Sequence, residues 1–536
     1  MEKVEKFLAK YSFLLILVLA IPAVWALFVP GFYGASDDLH IAWLQQMDAA
    51  LRLGQFPPRF VPDLSFGFGY PLFNFVFPLP FYLGEIFHLI GFSFVDSVKA
   101  VFVLSIPLSG YFMYKFLKEY TSEILSLAGA VVYIFTPYRA TDIFIRGAIG
   151  EIFAFVFPPL IALSLVKIVK TKSLRWIGIL GFSTAGLLMS HNIMAYMFFP
   201  FLALLALTLI FTANSPRLLT FLKVFSGFVL GLLISIYFWL PAIVESALMK
   251  YDTVFNFKDH FPTIKQLIVP YFGYGASVAG PYDGMSFFLG IVNLLLVVVG
   301  IIFFLKKKSL ILSWALGTFL AAVFMMNYRS SFIWDSVPYL PYFQFPWRFL
   351  SLTAFVTPIF IIALNKFKYA KYLGLAVILG VILLNFRFFR PADFLGRQDA
   401  YYLNRYIPVP VASEEYLKTG EEYLRLPKAT QVRPDRTSSA TDAMGTSFEA
   451  NFKEETTFNY EKYFFPGWEA RIDGKKVEVK ASDPYGQIQF IIPTGRHRVE
   501  VAFKETPFRK TLDVISLLAV LAGATIILLP KRVYEK

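Results

Sequence analysis

Of the 536 residues, 57% are hydrophobic and only 16% charged, with 61 Phe and no Cys, and the mean hydropathy is +0.59. A soluble chain carries about a quarter charged residues, so a water-soluble globular protein is excluded, and so are disulfides, thiolate metal sites and cysteine nucleophiles. The formal charge of +13 does not point to nucleic acid, because the Lys and Arg residues sit in short loops between apolar runs, the pattern left by retention of basic loops in the cytoplasm.

The first apolar run, Ser12 to Val29, follows Lys3, Lys6 and Lys10 and stops at Pro30-Gly31. It reads as a retained span with its amino terminus inside, not as a cleaved signal. A water-facing loop over 30–96 comes next and opens with Ser36-Asp37-Asp38-Leu39-His40. A helix is expected to follow, because Leu39, Trp43, Met47 and Ala50 or Leu51 share one face. Ser36 or Asp37 could cap that helix. Alternatively, Asp37 or Asp38 could be a general base at the membrane–water boundary, where low dielectric raises a carboxylate's proton affinity. Two adjacent Asp could also divide base and metal roles.

Leu72 to Ile90 is apolar but broken by Pro78 and Pro80, and it carries Asn74, Glu85 and His88. A crossing there would place Lys115, Lys118, Lys306 to Lys308 and Lys366 to Lys371 opposite the amino terminus. The segment is therefore expected at the outer interface or as a re-entrant loop. Further spans are expected at 97–117, 124–137, 151–169, 174–190, 192–212, 222–244, 286–305, 309–327, 347–365, 370–388 and 511–530. That makes about twelve transmembrane helices, both termini cytoplasmic, with 138–150, 245–285 and 328–346 outside.

Several polar residues fall at outer span ends. Arg139, Arg146 and Arg348 could grip a phosphate with paired N–H groups, or simply snorkel to water and anionic lipid. Glu151 begins a span, either as a helix-start charge or as a contact to metal or acceptor. His191 with Asn192 lies between two spans, as a turn residue or as a ligand. Trp43, Tyr70, Trp334 and Trp347 are outer aromatics able to stack on a sugar.

From 391 to 509 the apolar period becomes two, as in Trp468-Glu469-Ala470-Arg471-Ile472 and in His497 to Phe503, and Asp473-Gly474 marks a tight turn. An extracytoplasmic β-sandwich is expected, with Arg433 to Gly445 as a loop inside it. The chain thus divides into a transmembrane domain (1–390), a β-rich domain (391–509), and a last helix with a short tail (510–536).

Gly54-Gln55-Phe56-Pro57-Pro58-Arg59, Gly67-Phe68-Gly69-Tyr70-Pro71, Tyr138-Arg139-Ala140, Arg146-Gly147-Ala148, Ser190-His191-Asn192, Phe345-Pro346-Trp347-Arg348 and Phe465-Pro466-Gly467-Trp468 carry a family likeness. Here the chain resembles prokaryotic integral membrane proteins labelled pyruvoyl-tetrahydropterin-synthase-related, which are similar in plan to GT-C glycosyltransferases and to YfhO-type proteins. Pterin chemistry is not implied, since the five His offer no zinc-binding cluster.

The resemblance implies a GT-C-like fold whose first outer loop is catalytic. It also implies transfer of a sugar from a polyprenyl-phosphate donor to a glycan or protein acceptor outside the cell membrane. Asp37 and Asp38 occupy the place of the acidic base, and some relatives add a divalent metal cation. His40 and Arg59 join Arg139, Arg146, Glu151, His191, Asn192 and Arg348 as candidate substrate contacts. No phosphate-cradling Gly-rich motif is present, so no nucleotide cofactor is expected. A non-catalytic transporter or flippase of a lipid-linked glycan is the alternative, although ion-coupled transport would put charges at mid-bilayer in repeated halves. A scaffold whose outer β-domain binds a partner is a third reading.

Overall fold

The structure is a computed structural model that describes residues 2–171, 173–213, 216–250, 256–306, 309–407, 426–432 and 445–529. The expected loop from Arg433 therefore lies outside the described residues up to Gly445, as do Lys172, Lys307, Lys308, Lys531 and Arg532.

Among the described residues, eight helices are long and apolar enough to cross a bilayer: Glu5–Phe28, Phe94–Leu117, Ile149–Lys170, Asn192–Phe211, Arg217–Ile234, Pro346–Lys366, Ala370–Phe388 and Pro507–Leu528. Two bent pairs raise the number to ten: Glu123–Ile134 with Pro137–Arg146, bent by 40°, and Leu310–Met325 with Tyr328–Ser336, bent by 90°. The other two expected spans are the helices Arg175–Ser190 and Ile291–Lys306, of 16 residues each. At 1.5 Å per residue each covers about 24 Å, less than the ~30 Å hydrocarbon core. The expected span 222–244 is interrupted at Ser235, between Arg217–Ile234 and Ile236–Glu245.

Leu72 to Ile90 forms two short helices, Leu72–Phe75 and Leu79–Leu89. The longer, at 11 residues, reaches about 16 Å and cannot cross. Pro78 and Pro80 set that break.

Small residues let the helices approach. A Cβ on Gly231 would meet Thr184 Cβ at 2.5 Å, so Arg175–Ser190 and Arg217–Ile234 touch backbone to backbone. The apolar stretch of Pro346–Lys366 is 94% buried, against 22% for Pro507–Leu528. The first is the centre of the bundle and the second its edge.

The β-region contains β1 (Thr446–Phe452), β2 (Thr456–Tyr463), β3 (Trp468–Ile472), β4 (Lys475–Val477), β5 (Lys480–Ala481), β6 (Gln487–Ile492) and β7 (Gly495–Phe503). Two antiparallel sheets, ordered β1-β7-β3-β4 and β2-β6-β5, meet through Phe448–Phe458 and Tyr460–Trp468 ring contacts. Burial alternates along β3, as expected of half-buried strands. Asp473 and Gly474 both take positive φ, 49° and 80°, the backbone that a two-residue hairpin requires.

This sandwich is joined to the loop that follows the first span. The Tyr463 N–H donates to Phe68 O at 2.8 Å, and Lys462 Nζ donates to Gly67 O at 2.7 Å. Phe60 meets Trp468 edge-on at 5.4 Å.

Candidate active site

The first loop is laid directly onto the end of the Pro137–Arg146 segment. Backbone N–H groups of Ser36 and Asp37 donate to Ile145 O at 3.0 Å and Arg146 O at 2.7 Å. The helix His40–Arg52 starts after Leu39 with no side-chain cap, so neither Ser36 nor Asp37 is the helix cap. Asp37 instead turns its carboxylate to Arg146 Nη2 at 3.7 Å and keeps 34% of its side chain exposed.

Asp142 to Arg146 forms a widened, π-type turn, a local form that is frequent at functional sites. It ends at Gly147 in the left-handed region, φ 67°, where a Cβ would press within 2.9 Å of Ala35 Cβ. The turn aligns Asp142 with Arg146 four residues later, Oδ1 to Nη1 at 2.7 Å. Glu151 starts the next helix one loop away and is fully buried. Its Oε2 lies 2.7 Å from Arg146 Nη1 and accepts from Tyr138 Oη at 3.1 Å. Its Oε1 accepts from Arg348 Nε at 3.0 Å. Pro346 opens the turn that brings Arg348 in. Arg348 Nη1 also donates to Phe343 O and to Gln344 Oε1.

The result is one constellation of three carboxylates, of which Asp142 and Glu151 are buried and Asp37 is partly exposed, and two buried guanidiniums (Arg146, Arg348). Trp347 forms its wall, its ring centroid 5.0 Å from the Arg146 guanidinium. Among the described residues no partner takes Arg348 Nη2, and Arg146 Nη2 has only the longer Asp37 contact. Two guanidiniums therefore hold donors in reserve for an anion, beside a carboxylate open to water.

His191 and His40 border this group. His191 Nδ1 accepts from Met194 N–H at 3.2 Å, so its proton is on Nε2, 3.9 Å from Glu151 Oε1. Burial lowers its proton affinity, and does the same at His40, whose Nδ1 lies 3.2 Å from Gly147 O. Both rings are neutral walls, with Phe77 against His191 at 4.9 Å.

Asp38 points away. It is buried and accepts from Tyr406 Oη, and burial raises its proton affinity although the Tyr406 bond opposes this. The two adjacent Asp thus separate, Asp37 into the cluster and Asp38 into a clamp on the helix Asp399–Tyr406.

Three other expected contacts lie outside the constellation. Arg59, 1% exposed, is spent on Glu505 at 3.1 Å, Asp513 at 2.9 Å and Tyr237 O at 2.7 Å, so it fastens the first loop to the last helix. Arg139 is buried between Tyr133 and Phe155 and donates to Ser109 Oγ at 2.7 Å, inside the bundle. Asn192 is exposed, with its Oδ1 on the neighbouring Ile193 N–H.

Of the expected sugar-stacking aromatics, Trp334, Trp347 and Tyr70 are buried and Trp43 packs on His40 and Phe81. The buried rings of Trp334, Trp347 and Tyr70 have no free face for a sugar, whereas Trp43 is half-buried. Asp142, Tyr138 and Tyr406 were not among the expected contacts. The Asp142/Arg146 spacing of four residues was the available signal for the first, whereas Tyr406 is 368 positions from Asp38 and left none.

Among the described residues no group of three His, Asp or Glu side chains could hold a metal ion, and each carboxylate of the cluster faces a guanidinium. A cavity of about 650 Å³ near Tyr120, Lys170 and Leu205 lies at the opposite end of the bundle, so the site is defined by its charges and not by volume.

A family model described as "6-pyruvoyl-tetrahydropterin synthase related domain; membrane protein" matches residues 73–390. An uncharacterized protein of Lactococcus lactis subsp. cremoris (strain MG1363) is 27% identical over 210 residues, covering 38% of this chain and 34% of that protein. The solved arabinofuranosyltransferase AftD from Mycobacteria aligns at 13% identity and TM-score 0.46 over 71% of this chain and 26% of that one. The Archaeoglobus fulgidus oligosaccharyltransferase in its apo form aligns at 13% identity and TM-score 0.43, over 81% of this chain and 62% of that one.

Proposed function

The chain belongs to the 6-pyruvoyl-tetrahydropterin synthase related family of membrane proteins, and we propose that it is a glycosyltransferase drawing its sugar from a polyprenyl-phosphate carrier. The observation that supports this most is the pairing of Arg146 and Arg348 around Glu151 with Asp37 exposed beside them. A membrane-dissolved donor carries its phosphate at the interface, where these span ends lie. Guanidiniums suit that anion because they offer paired donors in a fixed plane.

In this reading an acceptor hydroxyl attacks the anomeric carbon and gives its proton to Asp37. The new bond joins acceptor oxygen to that carbon, while the bond from carbon to phosphate oxygen breaks. The departing polyprenyl phosphate takes the electron pair, and Arg146 and Arg348 stabilise the charge that develops. Glu151 and Asp142 keep the two guanidiniums in place and neutralise them until an anion arrives. Asp38 holds the loop through Tyr406 and stays out of the chemistry. The acceptor is a glycan or protein on the outer face.

The test is transfer of labelled sugar from polyprenyl phosphate by the full chain in proteoliposomes. Asp37→Asn keeps size and hydrogen bonding but loses proton acceptance, a change of ~10²–10⁴-fold in rate, with melting unaltered. Asp38→Asn should fall far less. Donor translocation without any transfer by the parent chain would replace the enzyme with a flippase.

A further inference from the structure

The turn that feeds Arg348 is strained in two places. Tyr339 takes the left-handed region, φ 66° and ψ −8°, which costs a non-glycine residue about 1–2 kcal/mol. Gln344, at φ 65° and ψ −42°, sits at the centre of a tight turn closed by the Phe345 N–H on Phe343 O at 2.7 Å, a sparsely populated backbone. Such strain persists only where surrounding structure enforces it, and it concentrates at ligand sites. The strained pair brackets Leu340–Phe343, whose Leu340 and Phe343 are buried anchors. With the inner side fixed, the tyrosines turn outward. Tyr339 is 72% and Tyr342 42% exposed, with ring centroids 6.3 Å apart and planes within 30°. Tyr196, 43% exposed, joins from the neighbouring helix. Its hydroxyl donates to Pro338 O at 3.1 Å and its ring meets Phe343 at 5.4 Å.

We propose that Tyr339, Tyr342 and Tyr196 form a platform for a saccharide on the rim of the arginine–carboxylate cluster. This deepens the glycosyl-transfer reading and rests on it, naming a glycan as acceptor. The platform is continuous with the cluster, since Phe343 O and Gln344 Oε1 both accept from Arg348. Tyrosine suits the ligand: its face packs on sugar C–H groups, its hydroxyl meets sugar hydroxyls, and it has few torsions to freeze. The indoles of Trp334 and Trp347 are buried. Lipid is better matched by the preceding segment Tyr328–Ser336, which bends 90° from its span and carries exposed Tyr328 and Phe332, an interfacial anchor.

The test uses the full chain in lipid nanodiscs with maltohexaose and mannohexaose, read by saturation-transfer NMR without any donor. The parent should bind at least one, and Tyr339→Trp should keep that binding. Tyr339→Asn should weaken it roughly two- to tenfold while melting no lower than the parent, because Asn tolerates the left-handed backbone. Since the chain has no Cys, Tyr339→Cys carries a unique nitroxide, which should collide with a water-soluble nickel chelate and not with lipid-dissolved oxygen. Unchanged binding in Tyr339→Asn, no binding by the parent, or a nitroxide buried in lipid would each overturn the platform. Sugar binding by a parent chain that transfers nothing would refute the enzyme and leave the platform standing.

Discussion

Replacing Glu151 by Gln probes the centre of the constellation. Glu151 is wholly buried and its two oxygens engage Arg146 at 2.7 Å and Arg348 at 3.0 Å. The amide keeps the shape but removes the charge, leaving two buried guanidiniums with one buried carboxylate, Asp142, and one partly exposed one, Asp37. Breaking a buried ion pair by deleting one partner costs about 3–5 kcal/mol. In a chain of this size that lowers the melting midpoint by roughly 3–4 °C. The matched control is Glu449→Gln, whose partner Arg496 sits on the surface with side-chain exposures of 73% for Arg496 and 65% for Glu449. That change should leave melting unmoved, as exposed pairs contribute little. The assay is thermal melting of both variants in the same nanodiscs. Adding Arg348→Met to Glu151→Gln should recover part of the loss, because the uncompensated charge is then gone. A Glu151→Gln protein that melts with its parent would refute the claim that this carboxylate holds the arginines.

Three further outcomes follow from other contacts. Arg348→Lys keeps the charge but cannot serve Glu151 and Phe343 O together, so affinity for polyprenyl phosphate, titrated directly, should fall roughly tenfold with a smaller change in melting. Glu85 lies on the short helix Leu79–Leu89, and burial, with Asp48 nearby, pushes its carboxyl up to about 7. Its folded-state affinity for protons exceeds the unfolded one, so its stabilising contribution is complete below the usual Glu range and lost as pH rises to about 7. Melting measured from pH 4 to 8 should therefore decline less in Glu85→Gln than in the parent. Phe60→Ala removes a buried ring from between Trp468 and Phe503 at a cost of about 3–5 kcal/mol; limited proteolysis should then cleave the β-region faster.

The broad plan was legible in the sequence because lipid leaves few choices: apolar length, basic loops and period-two strands each have one structural solution. Asp473-Gly474 forms its turn for the same local reason. The short helices Arg175–Ser190 and Ile291–Lys306 blur the span count, since composition alone does not show how far a buried helix reaches.

At the site, Asp37 was readable as a loop carboxylate beside the membrane, and Arg146, Glu151 and Arg348 as charges at span ends. Their partition was not. Whether Asp38 turns to Tyr406, or Arg59 to Glu505 and Asp513, depends on pairs separated by 368 and 446 or more positions. No local pattern carries that information. The same holds for the aromatics: Trp347 and Trp334 are large enough to look like sugar platforms, yet they are walls, and exposure falls to tyrosines on a turn whose strain has no sequence signature.

The most direct test of the account is a density map of the full chain in nanodiscs with polyprenyl phosphate. The phosphate should lie within hydrogen-bond reach of Arg146 and Arg348, with the Asp37 carboxylate on its open side. A phosphate bound elsewhere, for instance beside Lys170 at the opposite end of the bundle, with the arginines still closed on Glu151, would contradict it.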